Sequence, residues 1–264
     1  MKLCMMSCML GDMPPREIVR AAADCGMEAV DWVALHQTDP ETLKKLTEDA
    51  GLRIAAHTMI KNKFLERKPD YMNDFKQSLD DAAAMGAPIL MLPPFARVNQ
   101  TSLEDDRKAW IEYYAQAQPL AQKAGVTLTL ESTGMKQSPI VTADEVMEVL
   151  RAVPGLQVTY DHGNVATADD PVAAYLRQKD HVVHFHLKDW KISDAPSPGG
   201  DRKRCGRYFA NAMIGEGDLD LKGFWSRVDP RGRTLFVNLE TLDFSGKLSK
   251  VEALKKVSDS LRNW

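Results

Sequence analysis

One unit recurs along this chain: a β-forming run, then a helix with apolar residues three and four apart, then a glycine or proline stop. The β-forming runs cover residues 2–10, 27–35, 52–60, 88–95, 126–133, 156–164, 181–188 and 234–240. The helical patterns cover 16–25, 41–50, 71–85, 103–124, 143–153, 171–179, 219–228 and 250–264. Gly26, Gly51, Gly86 and Gly125 follow four of these helices, and Pro154-Gly155 and Asp229-Pro230 follow two others. Pro14-Pro15 opens the first helix, with Asp12 or the following turn expected as its cap. Strict βα alternation implies a parallel sheet with right-handed crossovers. Eight such units, spaced by roughly 33 residues, close as a (β/α)8 barrel. Helical repeats share that period, but the β-rich runs argue against them. An open doubly wound sheet is the other topology, and no GxGxxG follows the first strand to favour it. At 264 residues the chain suits one (β/α)8 barrel domain over 1–264. Residues 61–70 and 191–217 read as inserted loops.

The composition excludes several function classes. The chain is 44% hydrophobic with a formal net charge of −3, so a broad electrostatic grip on nucleic acid is not indicated. Cys4, Cys8, Cys25 and Cys205 show neither CxxC nor zinc-knuckle spacing and read as free thiols. No basic segment precedes an apolar leader, and no apolar run reaches 18 residues. The expectation is a reduced, cytoplasmic protein without membrane or nucleic-acid partners.

The chemistry concentrates in His181–Trp190, HVVHFHLKDW. Alternation puts His184, His186 and Lys188 on one face of this strand and Val183, Phe185 and Leu187 on the other. Imidazoles and an amine on one side of an apolar strand are costly in a plain core. They fit a strand that opens into a polar pocket. Glu131, Asp161 and Glu240 likewise end apolar runs, and barrel active sites lie at the C-terminal ends of strands. Strands five to eight thus each supply one ligand-competent side chain. Three ionised carboxylates repel one another, and a divalent cation relieves the repulsion. Three oxygens and one imidazole suit one divalent cation: Mn2+, Mg2+, Co2+ or Zn2+. Taken singly, each carboxylate could instead cap the next helix. His184 reads as a second layer or core histidine, and His162 as structural. His57 ends the third strand and is a candidate for substrate, with core packing an equal alternative. Lys188 is a candidate for substrate hydroxyls, with a salt bridge as the rival. Trp32 and Trp190 are candidate apolar walls.

The motifs ESTG with Glu131, YDHGN with Asp161, HFHLKD with His186, IGEGDLD at Ile214–Asp220 and VNLE with Glu240 are more specific together. In this order they resemble the xylose-isomerase-like barrel family of sugar isomerases and epimerases, along the whole chain. The resemblance implies that Glu131, Asp161, His186 and Glu240 bind one divalent metal. It also implies that Glu131 and Glu240 exchange protons with a small sugar, sugar phosphate or keto-polyol through an enediolate. Relatives often carry His three residues after the strand-six Asp; here that position is Asn164, which can bind substrate but carries no charge.

Rival functions differ in what they require. A metal-dependent dehydratase or lyase shares the barrel and the carbanion. An abasic-site DNA endonuclease of the same superfamily needs extra histidines for three zinc ions, and strand four ends LMLPPF without one. A barrel that only binds sugar would be expected to lose an acid–base carboxylate, and both are present. Arg202, Lys203, Arg204 and Arg207 crowd the second insertion. A solvated loop or subunit contact is the plain reading, with a grip on a substrate phosphate or carboxylate the alternative. A homo-oligomer is possible, but no residue specifies an interface.

Overall fold

Every β-forming run becomes a strand of one sheet, and that sheet closes. The computed structural model describes residues 1–262 and 264. In chain order the barrel strands are β1 (Lys2–Met6), β2 (Ala29–Val33), β3 (Arg53–Thr58), β4 (Ile89–Met91), β5 (Thr127–Glu131), β6 (Gln157–Asp161), β7 (Val182–Leu187) and β11 (Phe236–Leu239). The order around the barrel is β1-β11-β7-β6-β5-β4-β3-β2, with every pairing parallel. Between the strands lie α1 (Pro15–Asp24), α2 (Pro40–Asp49), α3 (Tyr71–Met85), α4 (Leu103–Ala124), α5 (Ala143–Ala152), α6 (His162–Val165), α7 (Pro171–Gln178) and α8 (Leu221–Arg227). α9 (Lys250–Leu261) closes the ring. This is the (β/α)8 barrel expected from the sequence. Asn263, which the sequence puts inside the last helix, lies outside the described residues.

Local chemistry explains where helices stop. Gly86 and Gly125 end α3 and α4 with φ of 75° and 72°, a left-handed conformation that side chains disfavour. Both helices therefore match their expected bounds. α1 starts at Pro15 without a side-chain cap, so Asp12 does not serve there. Strand ends differ more. Residues 7–10 form a 3-10 turn rather than extending β1, and 162–164 turn into α6 rather than extending β6. Asp161 causes the second change, because its Oδ1 accepts the Asn164 amide at 2.9 Å as a helix cap. The expected loop at 191–217 in fact carries an antiparallel sheet of β8 (Asp189–Ser193), β9 (Gly200–Arg202) and β10 (Tyr208–Ala212), in the order β8-β10-β9.

The core divides at the barrel wall. Leu3, Val30, Leu90, Leu128, Tyr160, Phe185 and Val237 face the helices and join one continuous apolar core. Cys4, Ala29 and Ala55 form a small plug of their own inside, and Met6, Val33 and Met91 another. The segment 61–70 is anchored rather than loose. Phe64 packs its ring 4.7 Å from both Trp110 and Tyr113, and Arg97 sits 4.9 Å above it. Trp110 Nε1 donates to the Phe95 carbonyl at 2.9 Å, which ties α4 to the rim after β4. Trp110→Ala should remove that tie and leave a cavity, costing about 3–5 kcal/mol of unfolding free energy. Urea denaturation monitored by circular dichroism measures it. A loss under 1 kcal/mol would show that the rim does not depend on Trp110.

His162 gives the fold an acid sensitivity. It is buried, its ring stacks on Phe224 at 5.0 Å, and neither ring nitrogen has a hydrogen-bond partner among the described residues. Burial pushes its pKa down to about 3. The folded state therefore keeps this imidazole neutral, while the unfolded chain protonates it near its ordinary value of 6.5. Stability falls as pH drops below that value, by about 2 kcal/mol between pH 7 and 5 for this one group. His162→Phe should remove that share of the slope. Equal pH slopes in urea titrations of parent and variant would refute it.

Candidate metal and substrate site

Closure of the barrel brings β5, β6, β7 and β11 side by side, and Glu131, Asp161, His186 and Glu240 sit at their C-terminal ends. Asp161 pairs in register with His186, and Asn238, two residues before Glu240, pairs with it from the other side. Ligand-competent atoms of the four residues lie within 4.8 Å of one another. His186 Nδ1 is 2.7 Å from Glu131 Oε1 and 2.8 Å from Glu240 Oε1. One ring nitrogen cannot serve both, and the aligned hydrogen bond goes to Glu240. Glu131 Oε1 and Asp161 Oδ2 are buried without an aligned hydrogen bond among the described residues, and each lies beside a basic nitrogen, His186 Nδ1 at 2.7 Å and Lys188 Nζ at 2.9 Å. Buried carboxylate oxygens converging with an imidazole could hold a divalent cation. Asp161 can cap a helix and face the cluster at once. Oδ1 caps α6, while Oδ2 faces the cluster.

Lys188 holds the carboxylates together. Its Nζ is 2.9 Å from Asp161 Oδ2 and 2.6 Å from Glu240 Oε2. Burial raises the Asp161 pKa to about 7; Lys188 opposes this, and Glu240 and Glu131 add to it. Burial acts the same way on Glu240, but there Lys188 and His186 prevail and hold the carboxyl down at about 2. Burial disfavours a charged Lys188, yet the carboxylates around it outweigh that and push its pKa up. His186 is also raised, by Glu131 and its other acidic neighbours against the opposing effect of burial.

Beneath this layer lies a second polar set that was not singled out from the sequence. Asp31, on β2, reaches across the lumen to β7, with Oδ2 3.5 Å from His186 Nε2 and 3.9 Å from His184 Nε2. Thr58 Oγ1 donates to Asp31 at 3.0 Å, and Asn238 Nδ2 at 3.2 Å. Asp31, His184 and His186 could themselves hold a metal ion. The signal was present in AVDWV, where a lone aspartate interrupts an apolar strand, a costly burial without partners. His184 takes the deeper place expected of it, with its ring 5.3 Å from that of His186.

The mouth above the cluster is a cavity of about 330 Å³. Glu131, Glu240, Asn164, Lys188, Lys203 and Trp190 line its polar side, and Met6, Met91, Phe95 and Ile60 its apolar side. Asn164 and Lys188 thus both line this mouth. His57 is not brought to this group. Its Nδ1 lies 2.8 Å from the Trp32 carbonyl, and it lines a separate cavity with Asp74, Gln77 and Asp81 of α3. Its neighbour Thr58 takes the inward position. Trp32 likewise points to α2, with Nε1 donating to Thr47 at 3.1 Å, so only Trp190 of the two tryptophans lines the mouth.

The motif after β7 has a structural reason. The Asp189 carboxylate accepts amides from Trp190 at 2.8 Å, Gly215 at 3.0 Å and Gly217 at 2.9 Å, which pins the IGEGDLD turn over the barrel. A side chain at Gly217 would collide with that carboxylate. Gly163 is similarly required, because a Cβ there would strike Lys188.

A search of curated proteins finds no match. Solved structures do resemble this one. The IOLI protein with a bound zinc atom superposes at a TM-score of 0.80 with 15% identity, covering 100% of this chain and 97% of that one. The 3-keto-D-glucoside 4-epimerase YcjR from E. coli gives 0.74 with 15% identity over 100% of both chains. The probable 3-DHS dehydratase AsbF from Bacillus anthracis gives 0.75 with 18% identity, covering 100% of this chain and 99% of that one. At such identities the likeness is one of fold. A family model described as xylose isomerase-like TIM barrel matches residues 19–264. With nearly its whole length matched and four strand ends bearing the resembling motifs, this chain belongs to the xylose isomerase-like TIM barrel family.

Proposed function

We propose that this protein is a divalent-metal-dependent isomerase or epimerase of a small sugar or keto-polyol, working by proton transfer through an enediolate. The observation that carries the reading is the convergence of Glu131 and Glu240 on one nitrogen of His186, at the floor of a half-apolar mouth. Glu131, Asp161, His186 and Glu240 would hold the metal. When bound, the cation supplies positive charge against the oxyanions of the enediolate. The chain supplies the proton chemistry. One glutamate removes the proton from the carbon beside the carbonyl, and the C–H electron pair becomes the C=C bond as the carbonyl oxygen takes negative charge. The other glutamate returns a proton. Delivery to the opposite face of the same carbon epimerises; delivery to the former carbonyl carbon, with the neighbouring hydroxyl proton passing to the former carbonyl oxygen, isomerises. Lys188 and Asn164 hold substrate oxygens, and Trp190 offers its face to C–H groups.

Asp31 would orient the metal-binding imidazole. A ring that ligates through Nδ1 carries its proton on Nε2, and the carboxylate nearest Nε2 is Asp31. Thr58 and Asn238 already fix that carboxylate. Asp31→Asn should weaken metal binding about 10–100-fold without unfolding the protein. Competition with a chromophoric chelator measures it, and unchanged affinity would remove Asp31 from this role.

The function itself is tested by metal content and exchange. Elemental analysis should find one equivalent of divalent metal per chain, lost in His186→Ala. Ketoses incubated in D2O should take deuterium beside the carbonyl, and Glu240→Gln should lower that rate by about 100-fold or more. Three zinc ions per chain would point to a nuclease instead. Loss of water from the substrate would make the enzyme a dehydratase. Absence of metal after reconstitution with Mn2+ would overturn the proposal.

A further inference from the structure

The four basic residues of the second insertion have different fates. Arg204 turns away from the mouth and grips Glu145 with two hydrogen bonds of 2.7 Å. Arg207 pairs with Asp194 on the surface, and Arg202 donates to the Gly206 carbonyl. Lys203 turns inward. Its side chain is 8% exposed and lines the mouth beside Trp190, Lys188 and Glu240.

The surroundings of Lys203 leave its charge largely unanswered. Its ion pair among the described residues is to Asp201 Oδ2 at 3.9 Å, on a side chain that is 86% exposed. Its Nζ stands 5.3 Å from the centre of the Trp190 ring. Burial lowers its pKa, Asp201 pulls it back, and Lys188 lowers it further. Lys188 is different, because two carboxylates already answer its charge and leave one of its three N–H groups for a substrate oxygen. A buried ammonium with a distant, solvated partner is costly unless a ligand completes it. The loop is also held firmly. The Lys203 amide donates to Arg207 at 2.8 Å, the Cys205 amide donates to Thr167 at 2.9 Å, and the Arg204 pair fastens the loop to α5. The ammonium is thus presented to the mouth on a fixed support.

We propose that Lys203 reads a carboxylate carried by the substrate, so that the mouth selects a keto acid of the sugar series over a neutral sugar. This rests on the reading of the mouth as the substrate site. The Lys203 ammonium lines the mouth without a close carboxylate, and a monoanionic substrate would supply one. A phosphate dianion usually meets arginine forks or several backbone amides, whereas this wall offers one unshared ammonium.

The test is calorimetric binding to the metal-loaded protein, with 2-keto-D-gluconate, D-fructose and D-fructose 6-phosphate as probes. The keto acid should bind at least tenfold more tightly than fructose. Lys203→Met should abolish most of that ratio by weakening the keto acid far more than fructose, with metal content retained, and Lys203→Arg should restore part of it. Arg207→Met removes the same charge from the surface of the same loop and should leave the ratio intact. A ratio that survives in Lys203→Met would mean that the metal alone holds the carboxylate, and would overturn the proposal. So would a Lys203-dependent preference for the phosphate, or no preference among the three probes. Metal content in each sample separates these outcomes from failure of the metal-site reading, because a metal-free protein would fail before any probe was added.

Discussion

The site depends on one imidazole with different partners on its two edges. His186 presents Nδ1 to Glu131 and Glu240 and Nε2 to Asp31, so it links the layer that faces the mouth to the layer below. An imidazole can donate from one nitrogen while ligating through the other, and the acceptor it finds sets its tautomer. At Nε2 the Asp31 carboxylate at 3.5 Å and the Asn238 amide nitrogen at 3.2 Å compete, one as acceptor and one as donor. The carboxylates above, together with Asp31 below, raise the His186 pKa against the opposing effect of burial.

Such a site asks for an unusual barrel interior. Small barrels are commonly filled by branched apolar residues. Here the lumen holds Asp31, Thr58, His184 and Asn238, with Thr129 and Thr159 joined at 2.9 Å, all buried. The cost of burying these groups is offset because most of them find partners across the lumen. Apolar packing is moved outward, to the belt between strands and helices, where the wall is Leu, Val, Tyr and Phe. Beyond the strand ends, Asp189 and Arg204 each fasten a connecting segment, so that the mouth is walled by fixed structure.

Much of this was legible before folding was considered. α3 and α4 could be bounded to the residue, because a glycine stop is a local signal. The four cluster residues could be picked out because a charged side chain at the end of an apolar run is locally conspicuous. Strand ends were less legible. Residues 7–10 are as apolar as β1, and what ends the strand is the loss of partners in neighbouring strands. Side-chain facing was also partly hidden. Between β2 and β3 the register shifts after Val30, and between β6 and β7 after Val158, so alternation counted along a single strand slips by one residue. His57 stands near the end of its strand, a place that does not reveal facing, and Thr58 holds the inward place.

The amino-acid sequence by itself determined the alternation of strand and helix, the helix stops, and which strand ends carry carboxylates and imidazole. Those properties depend on residues a few positions apart. Closure alone decided that Asp31 meets His186 from a strand that is not its neighbour, that Lys188 bridges Asp161 and Glu240, and that one of four cations in a loop turns into the mouth. The physical reason is the same in each case. These are contacts between groups far apart in the chain, and they exist only once the barrel has fixed the distance and the register between its strands.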